Sequence, residues 1–218
     1  MPRLPNQSVL SRFFAGLTAL SLTVILTGCS NDDDAELGET VDASEVDSAE
    51  YVPASADGPA QNVPEPNLPA VATENTEEGA EASFQYFWEA EEFARLTGDG
   101  SAIALVSSDA CGFCLESIDG WESSYKDGYW TDIQGELAAE ITDIRIASDD
   151  GNETVAHVYF QLHEPATDFY DEEGNRTDGS FEAPDVRDWF ALMEYDAVAQ
   201  RWKIDWLGLE DSVDWEEE

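Results

Sequence analysis

The side chains in this sequence best suited to chemistry are few and scattered. His157 and His163 are its two histidines. On an extended strand they stand about 20 Å apart at about 3.3 Å per residue, so they cannot share one ion. His157 is the better candidate, because it alternates onto the same mixed-polarity strand face as Tyr159. Asp143, Arg145 and Asp205 join that face only if their strands point the same way. A carboxyl with a raised pKa beside a tyrosine donor can abstract a proton next to a carbonyl, as isomerases and dehydratases do. No fixed spacing ties Asp143, His157, Tyr159 and Asp205 together, so they form a candidate pocket and not a motif. Cys111-Gly112-Phe113-Cys114 offers two chemistries. One is a local disulfide; the other is thiol-disulfide exchange, since a helix amino terminus lowers the pKa of the first thiol. Exchange enzymes of the thioredoxin type place this motif directly after a strand, whereas helical periodicity precedes it here. Zinc would need a second cysteine pair. The acidic loop Asp168-Phe169-Tyr170-Asp171-Glu172-Glu173-Gly174-Asn175 invites calcium. Aligning Gly174 with the turn of an EF-hand puts Phe169 first and Ser180 twelfth, where glutamate belongs. A solvated hairpin tip is the reading preferred, and no metal or cofactor is expected.

The first segment reads as an address. Arg3 and Arg12 precede an apolar run from Phe13 to Leu26 that falls short of the roughly 20 residues needed to span a bilayer. It ends in Leu26-Thr27-Gly28-Cys29, which resembles the bacterial lipoprotein signal. The resemblance implies cleavage before Cys29 and acylation of its thiol, anchoring the chain to the outer face of the cytoplasmic membrane. Residues 1–28 are thus expected to be a signal peptide. Residues 29–78 hold 14 acidic residues, five prolines and no basic residue, with Tyr51 the one aromatic. Such a stretch is expected to be a disordered tether.

From Gly79 the composition changes, and residues 79–218 are expected to form the folded domain. Phe84, Phe87, Trp88, Phe93 and Leu96 recur at helical spacing over 82–96, with Glu81, Glu89, Glu91 and Glu92 early or outward. Shorter helices are expected over 101–106 and 114–127. The period then switches to two. Strands are expected around Ile141 to Ile146, over 154–163, 187–196 and 201–207, with Asp150-Gly151 as a hairpin turn. On the last strand Trp202, Ile204 and Trp206 alternate with Arg201, Lys203 and Asp205. Trp189, Phe190, Trp202 and Trp206 offer either a homodimer face on the sheet or the core beneath the helices. Three helices followed by an antiparallel meander of about four strands is an α+β arrangement.

That order resembles the nuclear transport factor 2-like (cystatin-like, SnoaL-like) cone, in which three helices pack on a curved sheet. The resemblance narrows through Gly28-Cys29, the acidic Pro-rich stretch, Phe84-Gln85-Tyr86-Phe87-Trp88, Leu96-Thr97-Gly98-Asp99, and Cys111 with Cys114 ahead of Tyr125-Lys126-Asp127-Gly128. Together these resemble an actinobacterial lipoprotein family catalogued as domain of unknown function 6318. The resemblance implies a cell-envelope location and a fold, and it carries no catalytic residue.

Charge bounds the partners. Nine basic residues stand against 49 acidic ones, a formal net charge of −40. Binding nucleic acid through phosphate neutralisation is excluded as a default, and so is adsorption to an anionic lipid surface by charge, which leaves the lipid to do the anchoring. A folded body this acidic repels itself strongly and suits a saline medium. Two function classes remain: a noncatalytic domain binding a small ligand or a cell-envelope protein, and a cavity enzyme of the isomerase or dehydratase type. Convergence of the four pocket candidates would favour the second.

Overall fold

The structure, a computed structural model, describes residues 50–149 and 153–212. The expected signal peptide, Cys29 and the Asp150-Gly151 turn lie outside the described residues. Three helices, α1 (Glu77–Thr97), α2 (Ser101–Leu105) and α3 (Gly112–Lys126), precede six strands: β1 (Trp130–Gln134), β2 (Ala138–Asp149), β3 (Glu153–His163), β4 (Ala166–Tyr170), β5 (Arg187–Asp196) and β6 (Arg201–Leu209). All pairings are antiparallel, in one four-stranded sheet ordered β2-β3-β5-β6 and one two-stranded sheet of β1 and β4. The α+β arrangement and its four long strands match the periodicity. The short sheet does not. Five residues per strand carry too few alternations to stand out, and β4 lies inside the polar stretch after Pro165.

α1 begins where the Thr76 hydroxyl accepts from the Gly79 N–H, with Glu77 and Glu78 in the first turn on the favourable side of the helix dipole. It ends at Gly98, in the left-handed region at φ 75°. Its apolar face lies on the sheet: the Phe84 and Phe160 rings meet edge to face at 4.8 Å, and Ser83 donates to the Trp202 carbonyl. Ala156, Val158, Phe160 and Leu162 of β3 are all buried on that side, as their alternation requires. Glu91, expected outward, is instead 2 % exposed.

Residues 50–78 correct the expected boundary, because they are laid against the domain. The Trp130 indole donates to Ser55, the Trp202 indole to Glu74 and the Tyr195 hydroxyl to Thr73, at 2.8, 2.9 and 2.9 Å. Ala54 and Ala72 are buried, and a 3₁₀ turn spans Ala70–Thr73. This arm has no apolar period because it is held by its backbone carbonyls and by single small residues. Its prolines lower the entropy lost on ordering. Gly79 makes the join: a Cβ there would lie 2.0 Å from the Glu74 carbonyl oxygen.

Two bulges set the faces of the large sheet. Ile141 pairs with Phe160 and Asp143 with Tyr159, so Thr142 is extra on β2. Leu192 pairs with Trp206 and Met193 with Ile204, so Asp205 is extra on β6. The second bulge breaks the alternation expected for Trp202, Ile204 and Trp206. Trp202 and Ile204 are core, whereas Trp206 packs on Phe190 across the sheet's other face at 5.8 Å. Its ring lies over Gly208, where a Cβ would approach to 2.8 Å. The four aromatics thus divide: Trp202 and the half-buried Trp189 on the helix side, Phe190 and Trp206 on the outer side.

Candidate functional site

The structure spreads the pocket candidates over an open surface. Asp143 accepts from Arg145 Nε at 2.7 Å, and the Arg145 guanidinium lies 5.0 Å from the centre of the Tyr159 ring. With Glu210 these line a shallow depression of about 380 Å³. His157 is beside them on the outer face, edge-on to Phe190 at 5.6 Å. Asp205 goes elsewhere. The bulge carries it to a second depression of about 470 Å³, with Ser107, Ser108 and Lys203. Ile204 has its backbone N–H and C=O bonded to Val106 and Ser108, which fastens β6 to the segment between α2 and α3. Asp143, Arg145, His157 and Tyr159 therefore share a face, Asp143 is held by the arginine, and Asp205 does not join them. His163 stands apart, 3.7 Å from Glu140.

Cys111 and Cys114 form a disulfide, with Cα atoms 5.3 Å apart and both residues fully buried. Cys111 Sγ also accepts from the Cys114 N–H at the start of α3. Burial denies the sulfurs the access that thiol exchange needs. In the acidic loop, Asp171 accepts from the Asn175 N–H and also from the Glu173 N–H, and these bonds, the first above all, lower its carboxyl pKa.

Two further sites carry no signal strong enough to be found in the sequence. The first is an ionic network between α1 and α3. Glu91 accepts from Arg95 Nε at 3.2 Å, Ser117 Oγ at 2.5 Å and Trp121 Nε1 at 3.0 Å, while a second Arg95 nitrogen reaches Glu164 at 3.0 Å. It floors a cleft of about 520 Å³ whose walls include Trp121 stacked on Phe169 and Phe113 edge-on to Trp189. The Glu91 and Arg95 spacing of four residues is visible; the donors from α3 are not. Every charge in the network has a partner, so it serves structure and leaves no free acid or base.

The second is a cavity of about 750 Å³ between the arm, α1 and the start of β2. Val63, Pro64 and Pro66 form one wall, and Tyr51 and Phe93 present aromatic surface beside the buried Trp88. Glu65, Glu89, Glu92 and Glu136 line it without a basic residue. Burial raises the Tyr51 phenol pKa, and the charges of Glu92 and Asp132 raise it further. Trp88 is 2 % exposed, and its indole Nε1 has no hydrogen-bond partner. Leaving a buried donor unpaired costs about 1–3 kcal/mol. Only folding the arm onto α1 makes this cavity, so periodicity could not have revealed it.

Among known proteins, the profile of a family of unknown function, DUF6318, matches residues 49–207. The comparison with curated proteins gives no match. Among solved structures, similarity is found to the intermembrane space region of the chloroplast protein ARC6, at 14 % identity and a TM-score of 0.42, covering 62 % of this chain and 95 % of that one. A second is an NTF2-like protein with a cystatin-like fold from Novosphingobium aromaticivorans, at 12 % identity and TM-score 0.32, covering 62 % and 84 %. A third is a proposed polyketide cyclase from Xanthomonas campestris pv. campestris, at 14 % and 0.28, covering 62 % and 90 %.

Proposed function

The chain belongs to the DUF6318 family, and from that premise we propose that it is a cell-surface lipoprotein whose domain is a noncatalytic binding module of the nuclear transport factor 2-like cone class. Acylated Cys29 holds it on the outer face of an actinobacterial cytoplasmic membrane, and the acidic segment after it keeps the body off the lipid. The observation that carries the binding reading is the 750 Å³ cavity, which falls in the size range of small-ligand sites and has proline and aromatic side chains in its lining. The isomerase or dehydratase alternative lacks comparable support, since its four candidate residues are divided between two shallow depressions and the outer sheet face.

The test uses the full chain expressed in an actinobacterial host and purified from membranes. The expected results are incorporation of a labelled fatty acid that Cys29→Ser abolishes, and a small noncovalent adduct in native mass spectra. Recovery of the chain from cytosol with residues 1–28 intact overturns the anchor. A bare mass, with no binding in a metabolite library, overturns the binding module.

A further inference from the structure

The cleft that α1 and α3 form with β3, β4 and β5 joins aromatic walls to one uncommitted positive charge. Its 520 Å³ lies in the range of small-ligand sites. Phe113, Trp121, Phe169 and Trp189 line it, and all four are only half-buried, so folding leaves ring surface open to water in one place. The charges of the floor are already taken. Glu91 accepts from three donors, and Arg95 is shared between Glu91 and Glu164. Arg187 differs from them. It lines the same cleft at an exposed position, and among the described residues it has no ion pair, whereas Arg95, Arg145, Arg176 and Lys203 each have one. With 49 acidic residues against nine basic ones, carboxylates to pair with are plentiful, so its isolation is a property of its place. The strand explains it. Arg187 stands opposite Leu162 and alternates onto the helix side with Trp189, while the neighbouring Asp188 faces the other way and accepts from Gln161 at 3.0 Å. A guanidinium offers paired N–H groups that match a carboxylate in bidentate fashion, and apolar walls strengthen such a bond by keeping water from it.

We propose that this cleft binds a monocarboxylate with an aromatic body, the rings holding the body and Arg187 the carboxylate. The site shares no lining residue with the cavity behind the arm, so it goes beyond the reading of that cavity and is tested apart from it. Glu116 is the counterweight. It lines the cleft from α3, is exposed and has no ion pair among the described residues, so it opposes an anion and supplies a prediction of opposite sign.

Isothermal titration calorimetry of the purified chain in detergent tests the assignment, with trans-cinnamate as the probe, trans-cinnamamide as its neutral control, and a detergent-only titration subtracted. Sodium chloride at about 0.5 M keeps the net charge of the chain from repelling the anion at a distance. Cinnamate should bind at least about tenfold more tightly than the amide. Arg187→Gln should weaken cinnamate about tenfold, change the amide less than about threefold, and leave the melting temperature in place, since no partner is lost. Glu116→Gln should tighten cinnamate by removing a like charge from the lining. Phe113→Leu should weaken acid and amide alike, because the ring serves the body common to both. If Phe113→Leu fails to fold, the two charge variants decide. Equal affinity for acid and amide, an unchanged cinnamate affinity in Arg187→Gln, or no binding of cinnamate overturns the assignment. None of these outcomes bears on the cavity behind the arm, whose own test is the native adduct.

Discussion

Glu91 shows what one misplaced expectation contains. On an exposed helix face a pair four residues apart such as Glu91 and Arg95 would be worth a few tenths of a kcal/mol. Ser117 and Trp121 convert Glu91 into a buried acceptor with three donors. Their positions, 26 and 30 residues further on, follow from the path of the chain and from no local pattern. Glu91→Ala leaves the buried Arg95 guanidinium with Glu164 alone and the Ser117 and Trp121 donors without their acceptor, and should lower unfolding free energy in urea by about 2–3 kcal/mol. Glu91→Gln should cost less, since an amide oxygen still accepts. Asp196 provides the acid-side counterpart. Bonds from the Ala199 N–H, then from Lys203, hold its carboxyl at about 2, below the ordinary 3.8. A depressed pKa adds stability that is present above the unfolded value and lost as pH falls through the folded one. That loss belongs between about pH 4 and 2. The NMR titration of Asp196 should show a midpoint near 2, and Asp196→Asn should flatten stability against pH over that window.

At the scale of elements, long amphipathic segments were legible and irregular ones were not. α1 and the four long strands declare themselves because each buries one periodic face. The bulge at Asp205 is silent in the sequence: Trp202, Ile204 and Trp206 alternate without a break, and only pairing with β5 shows that one residue is extra. For the same reason the alternation groups Asp205 with His157 and Tyr159, from which the bulge removes it. Helix ends were more readable. Gly98 terminates α1 at positive φ, and the Tyr125 side chain packs so closely that a Cβ on residue 98 would lie 2.5 Å from it. Tyr125 in turn donates to the Arg95 carbonyl at 2.7 Å, satisfying one of the last carbonyls of the helix. Gly98→Ala combines left-handed strain of about 1–2 kcal/mol with that clash. Thermal and urea unfolding should show a loss of at least about 2 kcal/mol.

For the whole molecule, charge and the arm matter most. At a net charge of −40, self-repulsion opposes folding, and screening shortens its reach from about 10 Å at 0.1 M salt to about 3 Å at 1 M. The melting temperature should therefore rise between low and molar sodium chloride; a flat or falling profile would remove the case for a saline setting. Composition makes residues 29–78 look like one uniform tether, yet the part from residue 50 onward accepts hydrogen bonds from Trp130, Tyr195 and Trp202 and walls the 750 Å³ cavity. Amino-acid content measures how much apolar surface a segment can bury. It does not register that a neighbouring domain presents indole and phenol donors in need of carbonyls. The cavity was illegible on the same ground, being the product of two segments with separate patterns.

Trp88 is a direct reporter on that cavity, since it belongs to the wall that α1 contributes. In proton–nitrogen correlation spectra of the labelled mature chain, Trp88→Phe identifies its signal among the seven tryptophans. Adding the small molecule that native mass spectra detect on the chain should move that signal and leave the Trp206 signal on the outer sheet face in place. Movement of Trp206 with Trp88 unchanged would contradict the account and transfer the binding site to the open face of the sheet.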